Sequence, residues 1–264
     1  MQEHSTIAAV DLGSNSFRLQ VGRVVDEQVY PLDSLRETVR LGAGLTPDRR
    51  LDEAAQARAI DALKRFGERL RGFPPSAVRA VGTNTLRAAK NARQVLPLLE
   101  ATLGFPIEVV AGREEARLIY LGVAHSLPPS ANKRLVVDIG GGSTELIIGA
   151  GHQPHRLGSL YMGGGRWGLG VFPDGRRSEA AFKQAELAAR IELETVRKQF
   201  SAKHWQEAVG SSGTARALGD ILEASGWSES RITRDGLERL RSALIKAGSL
   251  DRLSLPRLRG DRVP

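Results

Sequence analysis

The sequence predicts a mixed α/β protein made of two similar halves, on three observations. Short β-type apolar runs alternate with helix-type segments along the chain, the pattern of layered α/β folds. The unit Val10-Asp-Leu-Gly-Ser-Asn-Ser-Phe-Arg-Leu19 recurs as Val137-Asp-Ile-Gly-Gly-Gly-Ser-Thr-Glu-Leu146, so one supersecondary unit is used twice. A Pro-rich stretch, Pro128-Pro129 with Ser130-Ala-Asn132, lies between the copies and places the halves at residues 1–126 and 133–264.

Each element has a local reason. Ile7–Val10 is a short apolar strand that breaks at the turn Asp11–Phe17 and resumes as the alternating strand Arg18–Gly22, a hairpin with a polar tip. Asp52–Leu70 reads as a helix, with Asp52 as N-cap and Ala59, Ile60, Leu63, Phe66 and Leu70 on one face. Pro74-Pro75 ends it. Val78–Val81 is a strand leading into Gly82-Thr-Asn-Thr85 and a helix from about Leu86. Ile107–Val110 is the next strand, and Glu114–Leu121 the next helix. In the second half, the strand Arg134–Val137 runs into the second Gly-rich turn, and Leu146–Ile148 continues it as a strand. Ser178–Phe200 is expected as one long helix whose stripe is Phe182, Ala185, Ala189, Leu193, Val196 and Phe200. Glu207–Val209 is a strand running into Gly210-Ser-Ser-Gly-Thr214 and a helix from Ala215. Weak helical character around Leu237–Ile245 precedes a basic, irregular end.

Composition narrows the chemistry. The 264 residues include no cysteine, which excludes disulfides, thiolate metal sites and cysteine nucleophiles. Apolar residues make up 41% and charged residues 26%, ordinary globular values. No apolar run is long enough to span a bilayer, and Met1–Thr6 lacks the basic and apolar regions of a signal peptide. The expectation is a soluble, cytoplasmic protein with no membrane association. The formal charge is +8, from 31 Arg and 7 Lys against 30 acidic residues. That balance suits phosphate-rich partners, and Arg grips phosphate oxygens in pairs. No specific nucleic-acid recognition is expected.

The Gly-rich turns expose backbone N–H groups without side-chain obstruction, which suits them to phosphate oxygens. Gly13, Ser14, Asn15 and Ser16 form one such loop; Gly140, Gly141, Gly142 and Ser143 form the other. Asp11 and Asp138 end the preceding strands and would repel phosphate unless a hard cation sat there. Mg²⁺ fits, because it takes carboxylate, phosphate and water oxygens together. The segment Gly210, Ser212, Gly213 and Thr214 opens a helix, whose N-terminus attracts anions. Thr83 and Arg87 repeat that form after an earlier strand, with Arg87 able to approach a phosphate. In Gly112-Arg-Glu-Glu-Ala116 only one of Glu114 and Glu115 can face a given site, and there it could direct a water at phosphorus. His152 and His155 lie in a Gly/Pro turn and read as surface residues.

The motifs Ala9–Phe17, Gly82–Ala89, Gly112–Ile119, Val137–Leu146 and Val209–Ala215, in that order, resemble the exopolyphosphatase/guanosine pentaphosphate phosphohydrolase family of the actin, sugar-kinase and Hsp70 ATPase superfamily. The resemblance implies two RNase H-like domains flanking a cleft, Mg²⁺ as cofactor, and hydrolysis of a terminal phosphate from inorganic polyphosphate or pppGpp. It assigns Glu115 as catalytic base and Glu145 as its partner near metal and water. Asp11, Asp138 and Glu145 then become the metal-side carboxylates. Exopolyphosphatase activity is the expected function. The alternatives are pppGpp 5′-phosphohydrolase, a polyphosphate- or alarmone-binding module with weak catalysis, and a kinase or ATPase of the superfamily.

Two departures from the family shape the expectations. Met162-Gly-Gly-Gly-Arg-Trp-Gly168, with four glycines in seven residues, replaces an expected apolar strand. Family chains also continue past a segment like Ser254–Leu258. The second domain is therefore expected to be incomplete, with an exposed sheet edge that a second copy could cover as a homodimer.

Overall fold

The first hairpin forms because strict alternation sends Ala8, Val10 and Leu12, then Phe17, Leu19 and Val21, to one buried face. The computed structural model describes residues 4–26, 28–172 and 175–257. β1 (Thr6–Leu12), β2 (Ser16–Val25) and β3 (Gln28–Thr38) run antiparallel, and β4 (Val78–Gly82) and β5 (Ile107–Val109) add in parallel on the other side of β1. The sheet order is β3-β2-β1-β4-β5. The chain divides into two compact units, Met1–Glu115 and Ala116–Pro264. The Pro128–Asn132 stretch thus lies inside the second unit.

In the first unit α1 (Glu53–Arg69) has Asp52 as its N-cap, whose side chain accepts from Ala55 N at 2.7 Å. Its Ala59, Leu63 and Phe66 pack into the core with the sheet and with Val95, Leu99 and Leu103 of α3 (Ala92–Leu103). The helix expected from Leu86 is broken into α2 (Asn84–Ala88) and α3. Asn91 sits at the break. Its amide accepts from Leu51 N at 2.8 Å and donates to Leu51 O at 3.0 Å, pairing a neighbouring loop instead of continuing a helix. β3 carries no clean sequence signal. It is an edge strand with Pro31 and mostly exposed positions, the composition that edge strands tolerate.

In the second unit β6 (Arg134–Ile139), β7 (Thr144–Ala150) and β8 (Gln153–Leu160) form an antiparallel meander, and β9 (Glu207–Ser211) joins β6 in parallel. The order β8-β7-β6-β9 repeats the first four positions of the other sheet, so the sequence repeat is a structural one. Both faces of this sheet are covered. Val136 and Ile147 pack with Ala116 and Tyr120 of α4 (Gly112–Ser126), whereas Leu135, Leu146 and Ile148 pack with Leu160 and Phe200. Burial on both sides explains why β7 reads as a continuous apolar run.

Three expectations need correction here. An apolar strand is expected where residues 162–168 stand, but the strand that follows the second loop is β7, with β8 after it. The glycine run instead leads into α5 (Gly164–Val171). The long helix is shorter: α6 (Glu179–Glu194) begins after the Ser178 cap and stops before Val196 and Phe200. None of its residues is fully buried: Phe182, Ala185 and Ala189 of its stripe are partly buried, and Leu193 is 37% exposed. The strand β9 extends through Gly210 and Ser211, and α7 (Ser212–Ala224) starts earlier than Ala215. α8 (Arg234–Ala247) spans the weak helical stretch. The irregular end beyond residue 257 lies outside the described residues. No described helix is long and apolar enough to cross a membrane.

Candidate functional site

In the first unit the loop between β1 and β2 is held from outside. Ser14 O accepts from Gly42 N at 2.8 Å, and Asn15 O accepts from Arg40 N at 2.7 Å. Thr85 Oγ1 donates to Ser14 Oγ at 2.7 Å. These contacts take up the loop's carbonyls. Among the described residues no backbone acceptor takes the amides of Gly13, Ser14 or Asn15, so the loop keeps its donors for an anion. The Asp11 carboxylate overhangs this turn, with Oδ2 at 3.9 Å from where a Gly13 Cβ would lie. Ser16 already belongs to β2, with its Oγ accepting from Arg36 Nε at 3.4 Å.

Thr83 and Arg87 have structural partners. Thr83 is buried, and its hydroxyl donates to Leu12 O at 3.4 Å. Arg87 Nη1 donates to Val110 O at 2.7 Å and to Glu115 Oε2 at 3.1 Å. Arg87, read from the sequence as able to approach a phosphate, is thus paired with Glu115, and Glu115, in the first turn of α4, is held in place by that pair. Both side chains are mostly buried, 22% and 14% exposed. Asn84, beside Thr83, has a buried Oδ1 with no partner among the described residues, the kind of orphan acceptor that a water or ligand would satisfy.

The second unit carries the denser site. The loop after β6 closes through Gly140 N donating to Ser143 O at 2.9 Å. No described backbone acceptor takes the amides of Gly141, Gly142 or Ser143. The run after β8 clamps this loop: Gly164 N donates to Gly140 O at 2.9 Å and Gly165 N to Gly141 O at 3.0 Å. Thr144 Oγ1 donates to Met162 O at 2.5 Å. A Cβ on Gly163 would lie 2.5 Å from both C and N of Gly142, so only glycine permits this approach.

The start of α7 joins the same loop. Ser212 Oγ donates to Ile139 O at 3.0 Å, and Thr214 N donates to Ser212 Oγ at 3.3 Å. Ser212 has φ 75°, a left-handed conformation rare outside glycine that costs about 1–2 kcal/mol. It turns the chain sharply from β9 into the helix, where Gly210 faces Ala215 with no room for a side chain. The Ser212 and Gly213 amides belong to the unpaired first turn of α7.

Two carboxylates sit beside this loop. Asp138 pairs in register with Glu145 across β6 and β7. Burial pushes the Asp138 carboxyl above its ordinary range, partly opposed by the hydrogen bond that Ser211 donates to Oδ2. Glu145 is 1% exposed and accepts from Ser159 Oγ at 2.9 Å. Ser159, Ser211 and Gly163 escaped sequence reasoning, because strand register and loop contact decide their roles. His152 is exposed, and its ring stacks on His125 with centroids 4.4 Å apart.

A profile of the Ppx/GppA phosphatase family matches residues 20–264. The guanosine-5′-triphosphate,3′-diphosphate pyrophosphatase of Aeromonas hydrophila is 43% identical over 263 residues, covering 100% of this chain and 53% of that protein. The chain thus spans about half the length of the curated relatives it matches. An exopolyphosphatase from Cytophaga hutchinsonii superposes with TM-score 0.78 at 26% identity, covering 91% of this chain and 80% of that one. The Aquifex aeolicus PPX-GPPA enzyme gives TM-score 0.66 at 29% identity, over 83% and 71%. With both sheets built in the same strand order and this match running through nearly all of its length, the chain belongs to the Ppx/GppA phosphatase family.

Proposed function

We propose that the chain is a phosphoanhydride hydrolase that releases the terminal phosphate of a polyphosphorylated substrate. The observation that carries this reading is the second-unit site: a Gly-rich loop with amides to spare, a helix N-terminus beside it, and two carboxylates on one rung, Glu145 buried and Asp138 partly buried. The amides of Gly141, Gly142, Ser143, Ser212 and Gly213 would bind phosphate oxygens, and the loop around Ser14 and Asn15 would do the same in the first unit. Glu115, oriented by Arg87, would accept the proton of the attacking water.

The pair of partly buried Asp138 and buried Glu145 suits a divalent cation. Two neighbouring carboxylates removed from water are relieved by positive charge, and the donors are all hard oxygens. Such a donor pair suits Mg²⁺, which is held by one or two carboxylates and completes its shell with water and phosphate oxygens. Asp138 and Glu145 would hold it, with Asp11 the corresponding carboxylate of the first unit. Bound there, Mg²⁺ would neutralise charge developing on the phosphoryl oxygens.

Two substrates fit this chemistry. Inorganic polyphosphate is the expectation from the motifs. The 43% identity to proteins named for the guanosine substrate supports pppGpp as the preferred one. Orthophosphate release from long-chain polyphosphate and from pppGpp, with Mg²⁺, tests both readings on the wild type and on Glu115→Gln. The expected result is release by the wild type and a loss of about 10²–10⁴-fold in Glu115→Gln, with substrate still bound. Full activity in Glu115→Gln would sink the base assignment. Binding without release by the wild type would leave a non-catalytic binding module.

A further inference from the structure

The second sheet places four polar residues on one rung. Register pairs Ser159 on β8 with Glu145 on β7, Glu145 with Asp138 on β6, and Asp138 with Ser211 on β9. Laterally paired residues project to the same face of a sheet. The rung therefore reads Ser–Glu–Asp–Ser, with both carboxylates inside and a hydroxyl at each end. Both hydroxyls donate inward, Ser159 Oγ to Glu145 Oε1 at 2.9 Å and Ser211 Oγ to Asp138 Oδ2.

Physical chemistry gives these hydroxyls a task. Like charges directly opposite on a sheet repel, so two neighbouring carboxylates tend to swing apart unless each is tethered. Glu145 also has the longer, more flexible side chain. A hydroxyl on the outer side fixes one of its oxygens, Oε1, and with it the plane of the carboxylate on the rung. Ser211 tethers Asp138 too, but it also sits at the β9–α7 junction, so changing it disturbs the helix start as well. Ser159 stands at the outer end of the rung, on the edge strand β8, where alanine and threonine can both be accommodated.

We infer that Ser159 is a positioning residue for Glu145, fixing the carboxylate so that it meets the phosphate and its cation in one orientation. This rests on the hydrolase reading above for its kinetic consequence, though not for its effect on cation binding. Partners of this kind typically contribute 10–100-fold to activity or metal affinity.

The test uses Ser159→Ala and Ser159→Thr, each in the wild type and in Glu145→Gln. Orthophosphate release and Mn²⁺ binding to the substrate-free chain, followed by electron paramagnetic resonance, are the two readouts. Ser159→Ala is expected to lower kcat about 10–100-fold with KM nearly unchanged, and to weaken Mn²⁺ binding about tenfold. Ser159→Thr restores both, because it returns the hydroxyl. In Glu145→Gln, Ser159→Ala adds little further loss, because the two residues act as one unit. Wild-type kcat and Mn²⁺ affinity in Ser159→Ala, equal losses in both backgrounds, or no recovery in Ser159→Thr would each overturn the inference. A wild type that binds Mn²⁺ but releases no phosphate overturns the hydrolase reading alone, and the Mn²⁺ titrations then decide for Ser159. A wild type that does neither overturns both.

Discussion

Replacing Gly163 with alanine strikes the point where the glycine run meets the phosphate loop. The added Cβ would lie 2.5 Å from Gly142 C and N and 2.6 Å from Gly141 C. These are backbone atoms, so no side chain can swing away. An ordinary carbon contact needs about 3.4–4 Å, so the run must retreat by about 0.9 Å. The clamp bonds from Gly164 N and Gly165 N, at 2.9 and 3.0 Å, would then stretch past hydrogen-bonding range. Two lost bonds at about 1 kcal/mol each, with some residual strain, give about 2–3 kcal/mol of destabilisation. Gly164→Ala is the control. Its Cβ comes no closer than 3.9 Å, to Gly140 O, and alanine in α5 should be neutral or stabilise by up to about 1 kcal/mol. Urea unfolding midpoints measure the stability of both variants, and orthophosphate release measures the loop. Gly163→Ala should lose both stability and release, and Gly164→Ala neither. An unchanged midpoint in Gly163→Ala, or equal effects in the two variants, would refute the close-approach argument.

Other consequences are testable in the same way. Arg87→Ala removes the bonds to Val110 O and Glu115; it should cost about 1.5–3 kcal/mol in urea unfolding and lower phosphate release without abolishing substrate binding. Burial pushes the Tyr120 phenol above its ordinary value of 10.0, so the folded chain holds that proton more tightly than the unfolded one. Its contribution to stability is complete below about pH 10 and falls as pH rises through the folded value; Tyr120→Phe should remove this alkaline loss when unfolding midpoints are compared between about pH 8 and pH 11. Gly149→Ala puts a Cβ 2.3 Å from Tyr120 Cζ, and should destabilise by about 1–3 kcal/mol, read as a lowered melting temperature. Chelation with EDTA should abolish phosphate release and excess Mg²⁺ should restore it, measured on one sample.

The loops and the elements around them were legible because their signals are local. The turn at Gly13–Asn15, the run Gly140–Ser143 and the cap at Asp52 each depend on a few consecutive residues with a definite conformational preference. The same locality made α1 readable, since its buried face is written at three- and four-residue steps. β3 was not legible, because an edge strand carrying Pro31 and exposed polar positions lacks alternation. The end of α6 was not legible for the opposite reason: its apolar periodicity continues into Val196 and Phe200, which pack on the second sheet from the turn that follows the helix.

By itself the sequence determined the repeated strand–Asp–glycine unit that carries Asp11 and Asp138, and the mixed α/β class, both matters of residue type and near-neighbour spacing. Glu115 and Glu145 were singled out by the family resemblance of the motifs around them. Only the tertiary structure decided which groups meet them. It tied Arg87 to Glu115 across 28 positions, brought Ser211 to Asp138 across 73, and seated Gly163 against Gly142. The physical reason is that strand register and close backbone approach are set by packing of the whole sheet, and no local propensity encodes them.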